Sequence, residues 1–400
     1  YFSLEDWCVI SAKGKETFSF LQSQTTNDVL QMQVGQGQNS AVTDRQARLI
    51  ANFSIHRMGE DEALILVETS LKDILLNHLE SYHFREEVQF TALNCRLLAL
   101  QGPKSSLILE KVFENQKLPD KPNDTSQVIL GEHLINLIIK SLTGEEGQIL
   151  CFPNELEDEL TQLILKSDSP PIKVNEVARE VLRIEAGIPI YDTDMDKKNI
   201  LPETGLEHTS VSYNKGCYIG QEVIARIKTY GAPNFALMGL TLEGVLTPPY
   251  NGTLKLGDKK IGTIKSAVRS VTLDKVITLA YLHKEHRSPD IEMEATIDGK
   301  PFKVKTCLLP FYQAQTRKDH SNKALHQALQ LYKEQDDLNQ PITLLREAIE
   351  LDPKNAEAYE ALGVFLAKQD KLDEAISLMK RLVEINPQEI MAHTNLSVYY

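Results

Sequence analysis

The last eighty or so residues of the chain repeat themselves, and this repeat constrains the fold more than any other feature of the sequence. When the sequence is shifted by 34 positions against itself, apolar and proline residues coincide. A period of this length is typical of solenoids, in which each unit buries its apolar face against its neighbours. The coinciding pairs are Leu351 with Ile385, Pro353 with Pro387, Leu362 with Leu396, and Phe365 with Tyr399.

These units resemble tetratricopeptide repeats. The matching packing positions are Tyr359, Leu362, Gly363, Ala375 and Pro387 in one unit, and Tyr332, Ala348 and Pro353 in the unit before. Gly363 and Ala375 are small enough for two antiparallel helices to approach closely, and each proline ends a second helix. The resemblance implies a groove for a peptide or protein partner, with a purely structural cap as the alternative. A third unit begins near Ile390, and we expect further units after residue 400.

The residues before 320 have a mixed pattern that predicts an α+β fold. The run TSLKDILLNHLESYHF has the spacing of an amphipathic helix, while EALILVET, CRLLALQ and HLINLIIKSL are typical of buried strands. From about residue 234, short strands separated by glycine turns predict an all-β module, either a sandwich or a small barrel. The segment PFYQAQTRKDHSN, residues 310–322, is polar and aperiodic. We therefore expect an α+β region at 1–233, a small β-barrel at 234–312, a linker at 313–321 and helical repeats at 322–400.

Composition and charge exclude several classes of protein. The chain is 42% hydrophobic and 25% charged, which is the balance of a soluble globular protein. Its formal net charge of -13 argues against direct nucleic-acid binding, which needs clustered Lys and Arg. No apolar run is long enough to span a membrane. The chain begins at Tyr1 and stops at Tyr400 within the repeat, so we expect both natural ends to be missing.

The five cysteines are scattered along the chain, with no CxxC pair and no Cys/His spacing that indicates zinc. This pattern is typical of reduced thiols in the cytoplasm. Four of them are expected to be small buried apolar side chains: Cys8, Cys95, Cys151 and Cys307.

The fifth cysteine, Cys217, lies in the segment KGCYIGQE, residues 215–222. Gly220 precedes a short predicted helix, and a thiol near a helix N-terminus and the Lys215 ammonium is favoured as the thiolate. Such a thiolate is nucleophilic, oxidisable or able to bind a soft metal. The alternative is a structural cysteine beside a tight turn. The two glycines of the motif shape its backbone, and Gln221 and Glu222 hold the loop or orient a ligand. The supporting residues are Lys215, Gly216, Tyr218, Gly220, Gln221 and Glu222.

KGCYIGQE resembles the signature of the YgfZ family, the folate-binding relatives of the glycine-cleavage T-protein that serve iron-sulfur enzymes and tRNA thiolation. Other segments agree with this resemblance, which covers residues 1 to 312. They are FLQSQTTNDV (20–29), LLALQGP (97–103), RIEAGIP (183–189) and IGTIKSAVRSVTLDKVITLAY (261–281). The resemblance implies T-protein-like domains with a C-terminal barrel, tetrahydrofolate or another folate as cofactor, and iron-sulfur client enzymes as partners.

The resemblance also implies roles for individual residues. Glu185 matches the T-protein glutamate that contacts the pterin ring, and a carboxylate suits the aminopyrimidine edge. Arg183 contributes to the folate site or forms a structural ion pair. Arg226 or Lys228 would meet the glutamate tail of folate, unless they are ordinary surface charges. Asn52 stands where the T-protein has its catalytic aspartate, and an amide cannot act as a general base.

These residues lead to three hypotheses about function. The first is a folate-binding accessory factor for iron-sulfur cluster assembly or repair and tRNA modification. In it, tetrahydrofolate fills a central pocket lined by Glu185, and Cys217 at the rim of that pocket engages a sulfur species, a transient cluster or a client. The second is a folate-dependent aminomethyltransferase or demethylase, which Asn52 disfavours. The third is a scaffold in which the repeats alone carry function. The sequence defines no resident metal site and leaves the client, the form of folate and the oligomeric state open.

Overall fold

Antiparallel strands dominate the first part of the chain, and helices form the last part. The computed structural model describes residues 1–167, 169–243, 251–311, 317–334, 337–386 and 390–399. It contains two compact units, one built from residues 1–101 and 108–313, and the other from residues 102–107 and the C-terminal helices. Within the described ranges, no helix is both long and apolar enough to cross a bilayer.

The first sheet has the strand order β3-β4-β5-β2-β6, with antiparallel neighbours. EALILVET, predicted as a buried strand, supplies β5, of which six of seven residues are buried. Apolar side chains of these strands pack against the first two helices and form one core cluster. The elements are β2 (Trp7–Lys13), β3 (Gly37–Thr43), β4 (Leu49–Arg57), β5 (Glu62–Glu68), β6 (Gln89–Ala92), α1 (Thr17–Gln24) and α2 (Thr69–Ser81).

The amphipathic helix predicted from TSLKDILLNHLESYHF is α2. Its buried face contains Leu71, Leu75 and Leu79, as the spacing predicts. The i, i+3/i+4 spacing of the run also predicts Ile74 and Tyr82 on this face, and this is wrong, because they are 43% and 37% exposed. Ile74 lies at the edge of the apolar face, and Tyr82 follows the last helical residue.

The second sheet has the order β1-β7-β10-β9-β8 and packs apolar side chains against β2 and β5 of the first sheet. The predicted strands CRLLALQ and HLINLIIKSL are confirmed as β7 and β9. The elements are β1 (Phe2–Ser3), β7 (Arg96–Gln101), β8 (Thr125–Leu130), β9 (His133–Ile139), β10 (Gly147–Phe152), α3 (Ser105–Val112) and α4 (Glu157–Leu165).

Three helices separate the second sheet from a closed barrel. They are α5 (Glu176–Glu185), α6 (Glu207–Ser210) and α7 (Gln221–Tyr230). The predicted all-β module is a barrel with the strand order β11-β14-β13-β12-β15-β16. Its strands are β11 (Phe235–Glu243), β12 (Thr253–Leu256), β13 (Lys259–Ser270), β14 (Lys275–His283), β15 (Glu292–Ile297) and β16 (Lys300–Cys307). Part of the predicted module, residues 244–250, lies outside the described residues.

The C-terminal unit contains antiparallel helices, as the 34-residue period predicts. They are α8 (Arg317–Glu334), α9 (Asn339–Leu351), α10 (Ala356–Lys368), α11 (Leu372–Ile385) and α12 (Ile390–Tyr399). A Cβ atom on Gly363 would come within 2.2 Å of the Met379 Cε atom, so the glycine allows α10 and α11 to approach closely. Helix α9 ends two residues before Pro353. The stop predicted at Pro387 lies outside the described residues, as do residues 313–316 of the predicted linker. The rest of that linker, residues 317–321, was predicted wrongly, because it forms the beginning of α8.

Candidate functional site

A cavity of about 730 Å³ lies in the first unit, where the first sheet, the segment after α5, the segment around α6 and the barrel meet. This volume is in the usual range of small-molecule sites. Apolar walls alternate with a few polar groups, which is the composition expected of a site that orients its ligand. The polar and charged lining residues include Asn39, Ser40, Asn52, Glu68, Lys140, Glu207, His208 and Arg287.

Asn52 lies within β4 opposite Ala41 of β3, and its side chain lines the cavity. Its amide oxygen, Oδ1, is buried and has no hydrogen-bond partner among the described residues. A buried polar atom without a partner costs free energy unless something pairs with it, so this oxygen offers an acceptor to a ligand with an N–H group. The sequence prediction that Asn52 belongs to a binding pocket is consistent with this geometry.

Glu68 is a cavity residue that the sequence reasoning missed. It ends β5, pairs with Trp7 of β2 and is 8% exposed. Burial raises the pKa of its carboxyl group from 4.5 to about 7, although the Tyr191 backbone N–H stabilises the charged form. A carboxyl group with a pKa near neutrality can donate or accept a proton. The sequence signal was a glutamate directly after five buried apolar residues.

Two cations that also escaped the sequence reasoning line the cavity. The Lys140 ammonium donates a hydrogen bond of 2.9 Å to the Asn39 Oδ1 atom, and burial lowers the pKa of Lys140 to about 8. Arg287, after the barrel strand β14, is half-buried. The two cations expected to meet the folate tail are absent from this lining. Arg226 is exposed on α7, and the Lys228 ammonium lies 3.8 Å from the Glu207 carboxylate.

Glu185, expected at the pterin ring, is the last residue of α5 and is only 2% exposed. Its two carboxylate oxygens accept hydrogen bonds from barrel hydroxyls, Ser270 at 2.5 Å and Thr272 at 3.2 Å. The cavity lining begins one residue later, at Ala186. Glu185 therefore joins α5 to the barrel, and each of its carboxylate oxygens accepts a hydrogen bond from a protein hydroxyl.

Arg183 forms the structural ion pair that was the alternative to its folate role. Its guanidinium contacts the buried Asp194 carboxylate at 2.8 Å, the Glu180 carboxylate, the Ile188 carbonyl and the Ser266 hydroxyl. Asp194 is fully buried and also accepts a hydrogen bond from the Ser266 backbone N–H. Because the guanidinium donors are occupied by the protein, Arg183 holds α5, the 188–194 segment and β13 together.

The segment KGCYIGQE forms a surface loop that leads into α7, as the sequence predicts. Cys217 and Gly216 are exposed, and neither lines the cavity. The loop is anchored at its second glycine: Gly220 has a φ of +86°, and the Thr43 hydroxyl donates a 2.6 Å hydrogen bond to the Ile219 carbonyl. Cys217 is thus held on a fixed loop at the surface.

Lys215 does not have the role that the sequence reasoning gave it. Its buried ammonium donates to the carbonyl oxygens of Gln22, Thr25 and Asn27, at 2.6, 2.5 and 2.9 Å. An ammonium has three N–H donors, so all of them are used at the end of α1 and none is left for the Cys217 thiol. The Lys215 ammonium therefore makes no hydrogen bond that would support the expected stabilisation of a Cys217 thiolate.

The remaining motif residues support the loop or face solvent. Tyr218 is buried, with its ring centroid 5.2 Å from the Lys215 ammonium nitrogen. The Gln221 side-chain amide donates a 3.5 Å hydrogen bond to the Lys215 carbonyl. Glu222 is exposed beside Arg226 in a shallow depression on α7. Among the residues that the structure describes, no group of three or more His, Cys, Asp or Glu side chains is arranged to hold a metal ion.

Comparison with known families covers most of the chain. Residues 5–215 match the GCVT N-terminal domain, and residues 236–313 match the glycine cleavage T-protein C-terminal barrel domain. In the C-terminal unit, residues 330–370 match a TPR repeat and residues 356–389 match a tetratricopeptide repeat.

Individual relatives agree with these matches. An aminomethyltransferase of Bacillus cytotoxicus is 27% identical over 308 residues, which is 76% of this chain and 84% of the relative. An aminomethyltransferase of Bacillus cereus is 27% identical over 310 residues. The crystal structure of the glycine cleavage system aminomethyltransferase T from Bartonella henselae superposes with a TM-score of 0.70 at 21% identity, and the match covers 78% of this chain and 86% of that structure. At 21% sequence identity, this structural similarity shows the fold alone.

Proposed function

This chain belongs to the GCVT N-terminal domain family, with a T-protein barrel and tetratricopeptide repeats attached, and we propose that it is a folate-binding accessory factor of the YgfZ type. It would serve iron-sulfur cluster assembly or repair and tRNA modification in the cytoplasm. The observation that carries this proposal is Asn52 in the cavity, where an enzyme of the T-protein kind would need a carboxylate. We retain the domain limits expected from the sequence, 1–233, 234–312, 313–321 and 322–400, as a proposal, except that the helical region begins at Arg317, within the expected linker.

The cavity residues fit a folate. The unpaired Asn52 Oδ1 atom would accept a hydrogen bond from a pterin N–H group, and the Glu68 carboxylate suits the aminopyrimidine edge. Lys140 and Arg287 provide positive charge for the glutamate carboxylates of the tail. Tetrahydrofolate supplies nitrogen atoms that carry a one-carbon unit. The residues of the chain bind and orient it and limit its contact with water.

Cys217 would act on other proteins rather than on the bound folate. Its exposure on the anchored loop 215–220 makes the thiol available to a large partner, and it lies outside the cavity lining. A soft thiolate suits either transient cluster ligation or redox exchange with a client. The repeats would recruit that client and raise its effective concentration near the thiol.

Titration with tetrahydrofolate by calorimetry tests the binding site. We expect Asn52→Ala and Glu68→Ala to weaken binding by roughly tenfold each, because each removes one polar contact. Glu185→Gln and Arg226→Ala are the comparison variants, because these two residues were predicted from the sequence to bind folate but do not line the cavity. Binding that is unaffected by the two cavity variants but lost in Glu185→Gln would show that the ligand occupies a different place.

A cellular assay tests the role of Cys217 separately. Replacing the natural gene by one that encodes Cys217→Ala should lower the activity of iron-sulfur enzymes, while Cys307→Ala, a half-buried barrel cysteine, should not. Full activity of the Cys217→Ala strain would refute the accessory role and leave the folate site intact.

An aminomethyltransferase or demethylase is the second candidate, supported by the named activity of the relatives and by Glu68, a cavity carboxyl group with a pKa near 7. Formation of methylene-tetrahydrofolate from an amine donor distinguishes the two candidates. We expect little turnover by the parent and more by Asn52→Asp. Robust turnover by the parent that is lost in Glu68→Gln would favour the enzyme.

A further inference from the structure

Two free cysteines of the second sheet lie in contact with each other. Cys151 is in β10, where it pairs with Leu97 of β7, and Cys95 directly precedes β7. Their Sγ atoms are 3.0 Å apart. This separation exceeds the roughly 2 Å of a disulfide bond by about 1 Å. The two sulfur atoms are in contact because β7 and β10 are hydrogen-bonded neighbours.

The two thiols differ in access. Cys151 is 2% exposed, whereas Cys95 is half-buried and lines a surface depression of about 350 Å³ with Trp7 and Arg96. A small reagent can therefore reach Cys95 and not Cys151. The hydrogen bond runs from the Cys151 thiol to the Cys95 sulfur. It lowers the pKa of Cys95 and raises that of Cys151, so Cys95 is the better nucleophile of the pair.

We propose that Cys95 and Cys151 form a reversible thiol–disulfide site whose oxidant is a peroxide or a low-molecular-weight disulfide. With a peroxide, the Cys95 thiolate attacks one oxygen, the O–O bond breaks, and the leaving hydroxide takes a proton to become water. Cys95 is then a sulfenic acid. The Cys151 sulfur attacks the Cys95 sulfur, the S–O bond breaks, and the departing hydroxide takes the Cys151 proton. Two thiols are oxidised to one disulfide, and the peroxide is reduced to two waters.

This site is independent of the proposed function. Cys217 is on a different loop and Cys307 is in the barrel. The competing partner is Cys8, in β2, whose pKa is raised by burial and, to a smaller extent, by the nearby Cys95 thiol. The spacing between cysteines in the sequence gave no indication of either pairing, because the contact arises from the alignment of β7 with β10.

Peptide mapping without reductant tests the proposal on the full chain. After treatment with hydrogen peroxide, we expect the peptides that contain Cys95 and Cys151 to be linked, with the loss of two hydrogen atoms and recovery by dithiothreitol. This linkage should exceed any linkage to Cys8 by roughly tenfold, because the Cys151 sulfur lies 3.0 Å from the Cys95 sulfur. The Cys217→Ser background removes disulfides between molecules.

Two variants keep the result interpretable. Cys151→Ala should leave Cys95 as a sulfenic acid that dimedone labels, and Cys8→Ser should leave the Cys95–Cys151 linkage unchanged. A Cys8–Cys95 linkage as the main product, or Cys95 and Cys151 both remaining reduced while Cys217 is oxidised in the parent, would overturn the proposal.

Discussion

Glu68 and Asn52 lie on neighbouring strands and line the same cavity, but only one of the two side chains can carry a charge. The amide of Asn52 is neutral at every pH, whereas the carboxyl group of Glu68 titrates near neutrality. Of these two residues, only Glu68 can take up or release a proton at physiological pH. Its burial also makes the stability of the protein depend on pH.

Glu68→Gln should change the pH dependence of stability. Below about pH 4.5 the carboxyl group is protonated in both the folded and unfolded states, and its raised pKa has no cost. Between pH 4.5 and 7 the unfolded state releases the proton first, so the parent loses stability as the pH rises. At pH 8 we expect the free energy of unfolding of Glu68→Gln to be higher than that of the parent by on the order of 2 kcal/mol. At pH 4.5 the two free energies should be nearly equal.

Urea denaturation across this pH range measures the effect. Glu114→Gln, at an exposed position, removes the same charge without the burial. A constant difference between Glu68→Gln and the parent at all pH values would contradict the assigned pKa.

Lys215→Met should lower the free energy of unfolding by on the order of 2 to 3 kcal/mol, because three carbonyl oxygens at the end of α1 lose their donor. The rate at which iodoacetamide alkylates Cys217 at pH 7 should stay within about twofold of the parent, since the ammonium makes no bond to the thiol. Mass spectrometry of the Cys217 peptide gives this rate. Lys228→Met, which removes an exposed ammonium of α7, is the control. A large fall in the alkylation rate of Cys217 in Lys215→Met but not in Lys228→Met would show that the Lys215 ammonium stabilises the thiolate.

At the scale of elements, the junction between the KGCYIGQE loop and α7 depends on one glycine. Gly220 has positive φ, and a Cβ atom there would come within 2.6 Å of the Asp44 carbonyl oxygen and the Thr43 hydroxyl. The β3–β4 connection therefore fixes where α7 begins. Gly216, in the same motif, has no atom within 4 Å of its would-be Cβ.

Gly220→Ala should accordingly reduce the free energy of unfolding by on the order of 2 kcal/mol, and Gly216→Ala by much less. Both variants add one methyl group to the same loop, so their comparison isolates backbone strain and close contact. Chemical denaturation gives the two values. Equal effects would mean that the anchoring of the loop at Gly220 is unimportant for stability.

At the scale of the whole molecule, the cavity and the repeats belong to separate units. Among the described residues, those that line the cavity lie between Trp7 and Pro310, and the repeats have their own apolar core. Leu366 is fully buried in that core. Changes that weaken the repeats should therefore leave the cavity unaltered.

Leu366→Ala should lower the stability of the helical unit by about 2 to 5 kcal/mol, the usual cost of a large-to-small change in a core. Binding of tetrahydrofolate should stay unchanged, and binding of a protein partner should weaken. Calorimetry and thermal denaturation followed by circular dichroism measure the two effects. Leu372→Ala, at a 40% exposed position of α11, is the matched control. A parallel loss of folate affinity in Leu366→Ala would show that the units are coupled.

Local pattern was enough to predict much of this architecture. The 34-residue period predicted the helical repeats, the glycine-punctuated strands predicted the barrel, and the amphipathic spacing predicted α2. Each of these patterns recurs along the chain at an interval set by helix or strand geometry, and such periodic spacing is visible in the sequence alone.

The sequence by itself determined the broad family, the order of the elements and the candidates for the site, including Asn52 and Cys217. Only the tertiary structure decided which of these side chains share a cavity: it brought Asn52, Glu68, Lys140 and Arg287 together and directed Glu185 to the barrel and Lys215 to α1. The physical reason is that a side chain's environment depends on contacts between residues far apart in the chain. Burial and hydrogen-bond partners, which set its pKa and its availability to a ligand, exist only after the strands have paired and the sheets have packed.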